Sequence, residues 1–374
     1  MSGYLRRLAT TGAAYTAASI VSKVIAVALL PLYTRYLTKD DYGAAEILFA
    51  AVVTASIVVR FGLIEAILRF YYKDDEDPKA VVAGSFAGLF WLSTLGALVL
   101  LPFAGPLSEA LLPEAEKLGG SAAELVRIAI GGLWVLTMWE FMLTLYRLEE
   151  RAQAYFLTTI LNVLASIALT VVLVVGLEEG ARGLLVGSYA AGAVFVLALI
   201  VLQWRRLSLR FDRGLMRRLF RFGLPTMPAE VSLYLLNFVD RLIIVRSLGL
   251  AEAGLYSLAV KFAQAVNVLV RGFQLAWPPL AYSISDDEEA RRTYAVVVTA
   301  FAALCGVIVV GMWLEARWIV RLLAAPDFFD SYEAIGPLAL GAALYGVYLA
   351  LVVILGRTGK RRCVNTYISA TTTM

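Results

Sequence analysis

Long apolar runs separated by short polar ones fill the chain from end to end. The stretch "YGAAEILFAAVVTASIVVRFGLIEAILRF" is typical: apolar side chains crowd every face, with no two-residue alternation. Short alternating segments would be needed for a barrel. Runs of roughly 20 residues match the length of helix that crosses a hydrocarbon core about 30 Å thick. Ten spans are predicted, at 11–37, 42–70, 80–104, 124–147, 155–177, 182–204, 224–248, 253–283, 293–315 and 334–356.

Composition agrees with the pattern. Hydrophobic residues make up 60% and charged residues 17%, against roughly 45–50% and about 25% in soluble domains. Mean hydropathy is +0.77. The predicted fold class is an all-α polytopic membrane protein. The first run is too long for the apolar part of a cleaved signal and reads as a helix that stays. Cys305 and Cys363 offer no disulfide framework. The chain holds no histidine, which removes the commonest general base and metal ligand. No metal site and no cofactor are expected.

Arginine and lysine fall on alternate loops. Arg6 and Arg7, Lys73 and Lys79, Arg147 and Arg151, Arg291 and Arg292, and "GRTGKRR" share one side with the loop "QWRRLSLRFDRGLMRRLFR", which holds seven arginines. The opposite loops carry little more than Lys39, Lys117 and Arg182. The positive-inside bias makes the basic side cytoplasmic, so a cytoplasmic N-terminus is expected. The net charge of +4 is then a topology signal, and no nucleic-acid partner is expected.

The chain also repeats. Shifted by 211 residues, "RYLTKDDYG" (35–43) lies on "RSLGLAEAG" (246–254), and Arg60 lies on Arg271 without a gap. Spans two, three and four fall on spans eight, nine and ten. Six spans per half give a parallel repeat, an architecture of secondary transporters. The division read from it is an N-terminal six-helix bundle over 1–210 and a C-terminal bundle over 211–374. Under the offset, "NTYISATTTM" reads as the opening of an eleventh span, so the second bundle is expected to be incomplete.

Candidate chemistry lies in charges within spans, where an ionisable group is functional by default. The fragment "GRTGK" (356–360) lacks the spacing of a phosphate loop. The runs "DDEEARR" and "KDDEDPK" read as solvated faces, and "PLSEALLPEAEKLGGSAAE" (106–124) reads as an amphipathic outer segment. Glu65 and Arg69, four residues apart, are expected to pair along one helix. Lys23, Arg60, Arg241 and Arg271 remain as cargo ligands, with Gly62 as a bend after Arg60. Glu140, Asp240 and Lys261 are candidates for coupling or charge pairing. The alternative for each is an ion pair between helices or a side chain reaching the headgroups. A cationic excess implies an anionic cargo such as a phosphate or pyrophosphate.

The segments "SKVIAVALLPLYTRYLTKDDYGAAEIL", "FGLPTMPAEVSLYLLNFVDRLIIVRSLGLAEAGLYSLAVKF" and "GPLALGAALYGVYLALVVILGRTGK" resemble the polysaccharide-transport flippases of the multidrug/oligosaccharidyl-lipid/polysaccharide (MOP) exporter superfamily. The resemblance implies two six-helix bundles and a cationic cavity for a lipid-linked sugar pyrophosphate. The function expected from it is movement of an undecaprenyl-pyrophosphate-linked oligosaccharide to the outer leaflet, for cell-surface polysaccharide or lipopolysaccharide. Partners would be that lipid-linked oligosaccharide, membrane lipids and glycan polymerase machinery; no enzymatic activity is implied. The alternatives are a cation-coupled multidrug exporter of the same superfamily and a membrane polysaccharide polymerase or ligase. An exporter would favour carboxylates in its cavity, and a polymerase would need a large outward loop.

Asp240 and Lys261 lie ten residues either side of the predicted turn at Leu250 and Ala251, hence at similar depth, roughly 15 Å from it. Pairing would offset an isolated burial cost of about 2.5–3.5 kcal/mol per charge on insertion scales. The alternative is that Asp240 neutralises a neighbour such as Arg241. If the pairing holds, Asp240→Ala and Lys261→Ala each impair folding or transport, and the exchange Asp240→Lys with Lys261→Asp recovers part of the loss. An exchange no better than the worse single variant, in an export assay, refutes it.

Overall fold

Helix starts follow the capping chemistry of the sequence. In the computed structural model the described residues are 17, 21–73, 76–113, 121–284 and 286–357, and their regular structure is helical throughout. Residues 21–28 are helical. Twelve further helices follow: α1 (Leu30–Tyr36), α2 (Lys39–Arg60), α3 (Leu63–Phe70), α4 (Pro78–Leu100), α5 (Ala104–Leu111), α6 (Ala122–Leu148), α7 (Ala152–Val171), α8 (Gly180–Gln203), α9 (Arg213–Leu248), α10 (Leu250–Ser283), α11 (Asp287–Leu323) and α12 (Tyr332–Arg357). Thr38 and Asp41 close a reciprocal capping box on α2. Asp77 caps α4 with Pro78 in its first turn. Asp212 and Asp286 each take two backbone N–H groups at the starts of α9 and α11. Such caps satisfy donors that the helix itself leaves open.

Eight helices among the described residues are long and apolar enough to cross a membrane. Predicted span one lies partly outside the described residues. Span seven is α9, which carries Glu230, Asp240, Arg241 and Arg246 and is not among the eight. Burial shows which surface meets lipid. Within Asp287–Leu323 only 17% of the most apolar 18-residue stretch is buried in the protein, and within Ala152–Gly176 the share is 11%. Side chains such as Leu314 and Leu322 point outward. Apolar surface turned outward on this scale needs a hydrocarbon solvent. The chain is a multi-pass membrane protein. Predicted features at 114–120 and 358–374, among them Lys117, Cys363 and an eleventh span, lie outside the described residues.

Packing groups the chain into two units, residues 1–26 with 36–254, and 27–35 with 255–374. The division at residue 210 was drawn from the repeat and is a separate matter from this grouping. In the first unit, one core joins α3, α4, α6 and α8 to the first turns of α9, with Phe86 and Phe141 fully buried. Leu215 and Met216 of α9 press onto α4 at Gly84 and Gly88, where any Cβ would collide with them. In the second unit, Phe273 of α10 stacks on Phe301 of α11, with ring centroids 3.8 Å apart. Trp277 donates its indole N–H to the Ala350 carbonyl of α12 at 3.0 Å.

Loop contacts in the first unit reproduce the alternation read from the basic residues. At one end, Arg218 makes a two-pronged bridge to Glu76, at 2.8 and 3.0 Å. There also Arg206 pairs with Glu149, and the Tyr72 hydroxyl donates to the Leu148 carbonyl at 2.7 Å. At the other end, Arg182 bridges Glu124 at 2.8 Å, and Asp41 accepts the Ala181 N–H at 3.2 Å.

Helix starts also follow the repeat. The starts of α2, α4 and α6, at Lys39, Pro78 and Ala122, recur in α10, α11 and α12 at Leu250, Asp287 and Tyr332. These pairs lie within two residues of the 211-residue offset. The first turns of α2 and α10 touch reciprocally. A Cβ on Gly43 would overlap the Leu250 carbonyl and approach Gly254 N to 3.0 Å. A Cβ on Gly254 would overlap the Lys39 carbonyl and approach Gly43 N to 3.2 Å. Contact of residue i with j and of j with i is the signature of a local two-fold relation.

Span two is not continuous. Phe61 and Gly62 take left-handed backbone conformations, with φ of 48° and 68°, and separate α2 from α3. Gly62 lies so close to Gly223 of α9 that a Cβ on either would overlap the other's backbone. Gly62→Ala should therefore lower stability by about 2–4 kcal/mol, combining left-handed strain with overpacking. Gly131→Ala, on α6 with open space around it, should be neutral or raise stability by about 0.5–1 kcal/mol. Thermal unfolding of the purified variants in detergent checks both, and equal midpoints would contradict the contact.

Candidate functional site

The break in span two creates two helix ends within the apolar layer, and each carries the charge that its dipole favours. Arg60 sits in the last turn of α2 and Glu65 in the first turn of α3, the favourable sign at each end. The expected bend at Gly62 is thus a complete interruption, with Arg60 at its edge.

Arg60 is 9% exposed. Its Nε donates to the Ser56 carbonyl, one turn back, at 3.2 Å. One terminal nitrogen lies 3.7 Å from Glu230 Oε1 of α9. A guanidinium has five N–H donors, so one backbone bond and one long ion pair leave capacity for another acceptor. Glu230 is more open, with 29% of its side chain exposed against 11% for Arg60. Gly223 and Thr226 precede it, with the Thr226 hydroxyl donating to the Gly223 carbonyl at 2.7 Å, and Pro225 and Pro228 lie within the helix. The charges of Glu65, Arg60 and Glu140 all act on Glu230. Arg60 of α2 and Glu230 of α9 thus form the contact pair of this part of the first unit, with Glu65 of α3 and Glu140 of α6 acting on it electrostatically.

The other sequence candidates are placed as follows. Lys23 is half-buried in the helical stretch 21–28 of the first unit. Asp240 and Arg241 are half-buried on α9, and Asp240 Oδ1 accepts the Arg241 backbone N–H at 2.7 Å. Lys261 is half-buried and Arg271 exposed, both on α10. Arg60 and Arg271, equivalent under the repeat, thus differ in setting. α10 runs unbroken through Arg271, Gly272 and Phe273, with Phe273 in the aromatic stack where the first copy has the strained glycine.

One expectation is corrected. Among the described residues no ion pair joins Glu65 to Arg69. The Arg69 guanidinium instead lies 4.5 Å above the Phe222 ring, where an exposed cation meets the electron-rich face of an aromatic. Glu230 is a site residue that the reading of span seven passed over in favour of Asp240 and Arg241. Its signal was present, since it is an acid within the apolar run 224–248.

Comparison with known proteins adds the family. Residues 8–284 match the family model described as polysaccharide biosynthesis protein. The succinoglycan biosynthesis transport protein ExoT of Rhizobium meliloti (strain 1021) is 24% identical over 320 residues, covering 84% of this chain and 62% of ExoT. The chain thus spans about three-fifths of the length of that curated relative. An inward-facing multidrug resistance MATE family transporter of the MOP superfamily superposes with a TM-score of 0.67 at 17% identity, covering 89% of this chain and 82% of that one. An outward-facing structure from the same family gives 0.56 at 16%, covering 93% and 83%. A MOP superfamily transporter from Pyrococcus furiosus gives 0.53 at 15%, covering 93% and 84%. With a family match over most of its length, the chain belongs to the polysaccharide biosynthesis protein family, and its fold is the one seen in the MOP transporter structures.

Proposed function

We propose that the protein is a flippase that moves an undecaprenyl-pyrophosphate-linked oligosaccharide from the cytoplasmic to the outer leaflet of the bacterial cytoplasmic membrane by alternating access. The observation that carries this reading is Arg60, a buried arginine at a helix interruption with donor capacity to spare. A fixed guanidinium of this kind suits the two-pronged recognition of phosphate oxygens. Lys23, Arg241 and Arg271 are assigned as further cationic ligands of the cargo, and Glu140 as a coupling acid. The printed function of ExoT, succinoglycan biosynthesis transport, supports a glycan cargo. The lipid tail would remain in the bilayer while the pyrophosphate and sugar cross.

A second reading is favoured by one observation. Glu230 stands 3.7 Å from Arg60 and feels the charges of Glu65 and Glu140, and carboxylates are what a cation-coupled exporter uses. The two readings separate by cargo. If the flippase reading holds, Arg60→Ala abolishes glycan export at normal membrane abundance, and combining it with Lys23→Ala and Arg271→Ala leaves no residual export. Arg60→Lys keeps part of the activity, because the charge survives and the fork does not. Loss of one charge-assisted hydrogen bond, about 1.5–3 kcal/mol, sets the expected loss of cargo affinity at roughly tenfold or more. Export assays in a strain dependent on this gene check the series. Full export by the triple variant refutes the assignment, and drug efflux that follows the carboxylates would favour the exporter.

A further inference from the structure

Glu230 has no part in cargo binding as described, yet it is the acid nearest the cargo arginine. The two partners are held unequally. Arg60 is buried, tied to Ser56, and fixed in place by the interruption behind it, which is locked against Gly223. Glu230 stands on the more open side of the pair. Their separation of 3.7 Å is well beyond the roughly 2.7–2.9 Å of a tight charge-assisted bond. The pair is therefore a loose one, with its cation fixed and its anion accessible.

The charged groups around Glu230 are Arg60 from α2, Glu65 from α3 and Glu140 from α6. Arg69 of α3 is turned onto the Phe222 ring, and Arg147 of α6 donates to Thr144 at 2.8 Å. An oxyanion arriving at Arg60 would meet Glu230 already on that cation, within the field of Glu65 and Glu140. Adding its charge to theirs in a partly dry site is costly. The cost falls if the displaced carboxylate gives up its charge, since a partly buried acid that has lost its cation is cheaper in its neutral form.

We infer that Glu230 is a built-in counter-ion that a phosphate-type oxyanion displaces from Arg60, and that Glu230 takes up one proton as it is displaced. The inference rests on the reading of Arg60 as a cargo ligand. It makes Glu230 a positioning residue that holds Arg60 in the empty protein, and it couples arrival of the anion to arrival of a proton. The charge balance is simple: the carboxylate on Arg60 is exchanged for the incoming oxyanion, and the proton from water neutralises the carboxylate released. By linkage, oxyanion affinity then rises as pH falls, up to about tenfold per pH unit where one proton accompanies each ion.

The test uses the full chain in phosphatidylcholine nanodiscs with sulfate as the probe, because sulfate stays a dianion throughout the neutral and mildly acidic range, so any pH slope in its binding belongs to the protein. Wild type should bind sulfate more tightly as pH falls. Glu230→Gln should bind at pH 8 as tightly as wild type does at its acid limit, with no pH slope. Glu230→Asp, which keeps the carboxylate, should keep the slope and guards against a folding defect in the amide variant. A Glu230→Gln protein with the wild-type slope, or a wild type with none, overturns the inference. Arg60→Ala distinguishes the two levels of argument. Its loss of sulfate binding leaves the cargo-ligand reading standing whatever Glu230 does, and its retention of full binding removes that reading along with this one. Absence of sulfate binding to wild type at every pH overturns both.

Discussion

The backbone contact between Gly62 and Gly223 holds the rest of the site in place. Neither residue has a side chain, so the interruption of span two lies directly on α9. That proximity brings Arg60 to within reach of Glu230, seven residues beyond Gly223 on the same helix. Two left-handed residues in sequence, one of them Phe61, are strained backbone of the kind that persists only where surrounding structure dictates it. Here the surroundings are α9 itself and the edge-to-face contact of the Phe61 and Phe220 rings.

The interruption also explains why an arginine can be buried among apolar helices. The end of α2 presents a partial negative charge, and the Arg60 side chain donates into that last turn, to the Ser56 carbonyl. The acid opposite supplies the remainder at a distance that does not saturate the guanidinium. A continuous helix would offer no such end. The second copy of the repeat demonstrates the difference, because Arg271 lies on an unbroken α10 and is exposed.

Much of the fold was legible in the sequence because it depends on local features. Apolar run length marked most of the spans, and the alternating basic loops separated the two sets of loops that the Arg218–Glu76 and Arg182–Glu124 bridges join at opposite ends of the first unit. Gly62 was legible as a bend because glycine tolerates positive φ. What local reasoning could not supply was choice among distant partners. Arg69 had an acid four residues away and took the Phe222 ring instead. The partner of Arg60 lies 170 residues further along the chain, and nothing in the spacing of charges along one helix identifies it. The repeat placed Arg60 and Arg271 as equals, whereas a one-residue shift in the position of glycine, Gly62 against Gly272, gives them different backbones.

The reciprocal contact of Gly43 with Gly254 has a bearing on how the two halves can change over time. A methyl group on either glycine would run into a carbonyl at the start of the opposing helix and press on the nitrogen of the other glycine. A duplicated pair of segments is ordinarily free to drift apart, and low identity between these two reflects such freedom. At this point the freedom ends, because a side chain gained in either half is felt by both. The two positions behave as one inherited unit. A hybrid that joined this first half to a foreign second half would have to bring a glycine at the matching place, however well the remaining helices agreed.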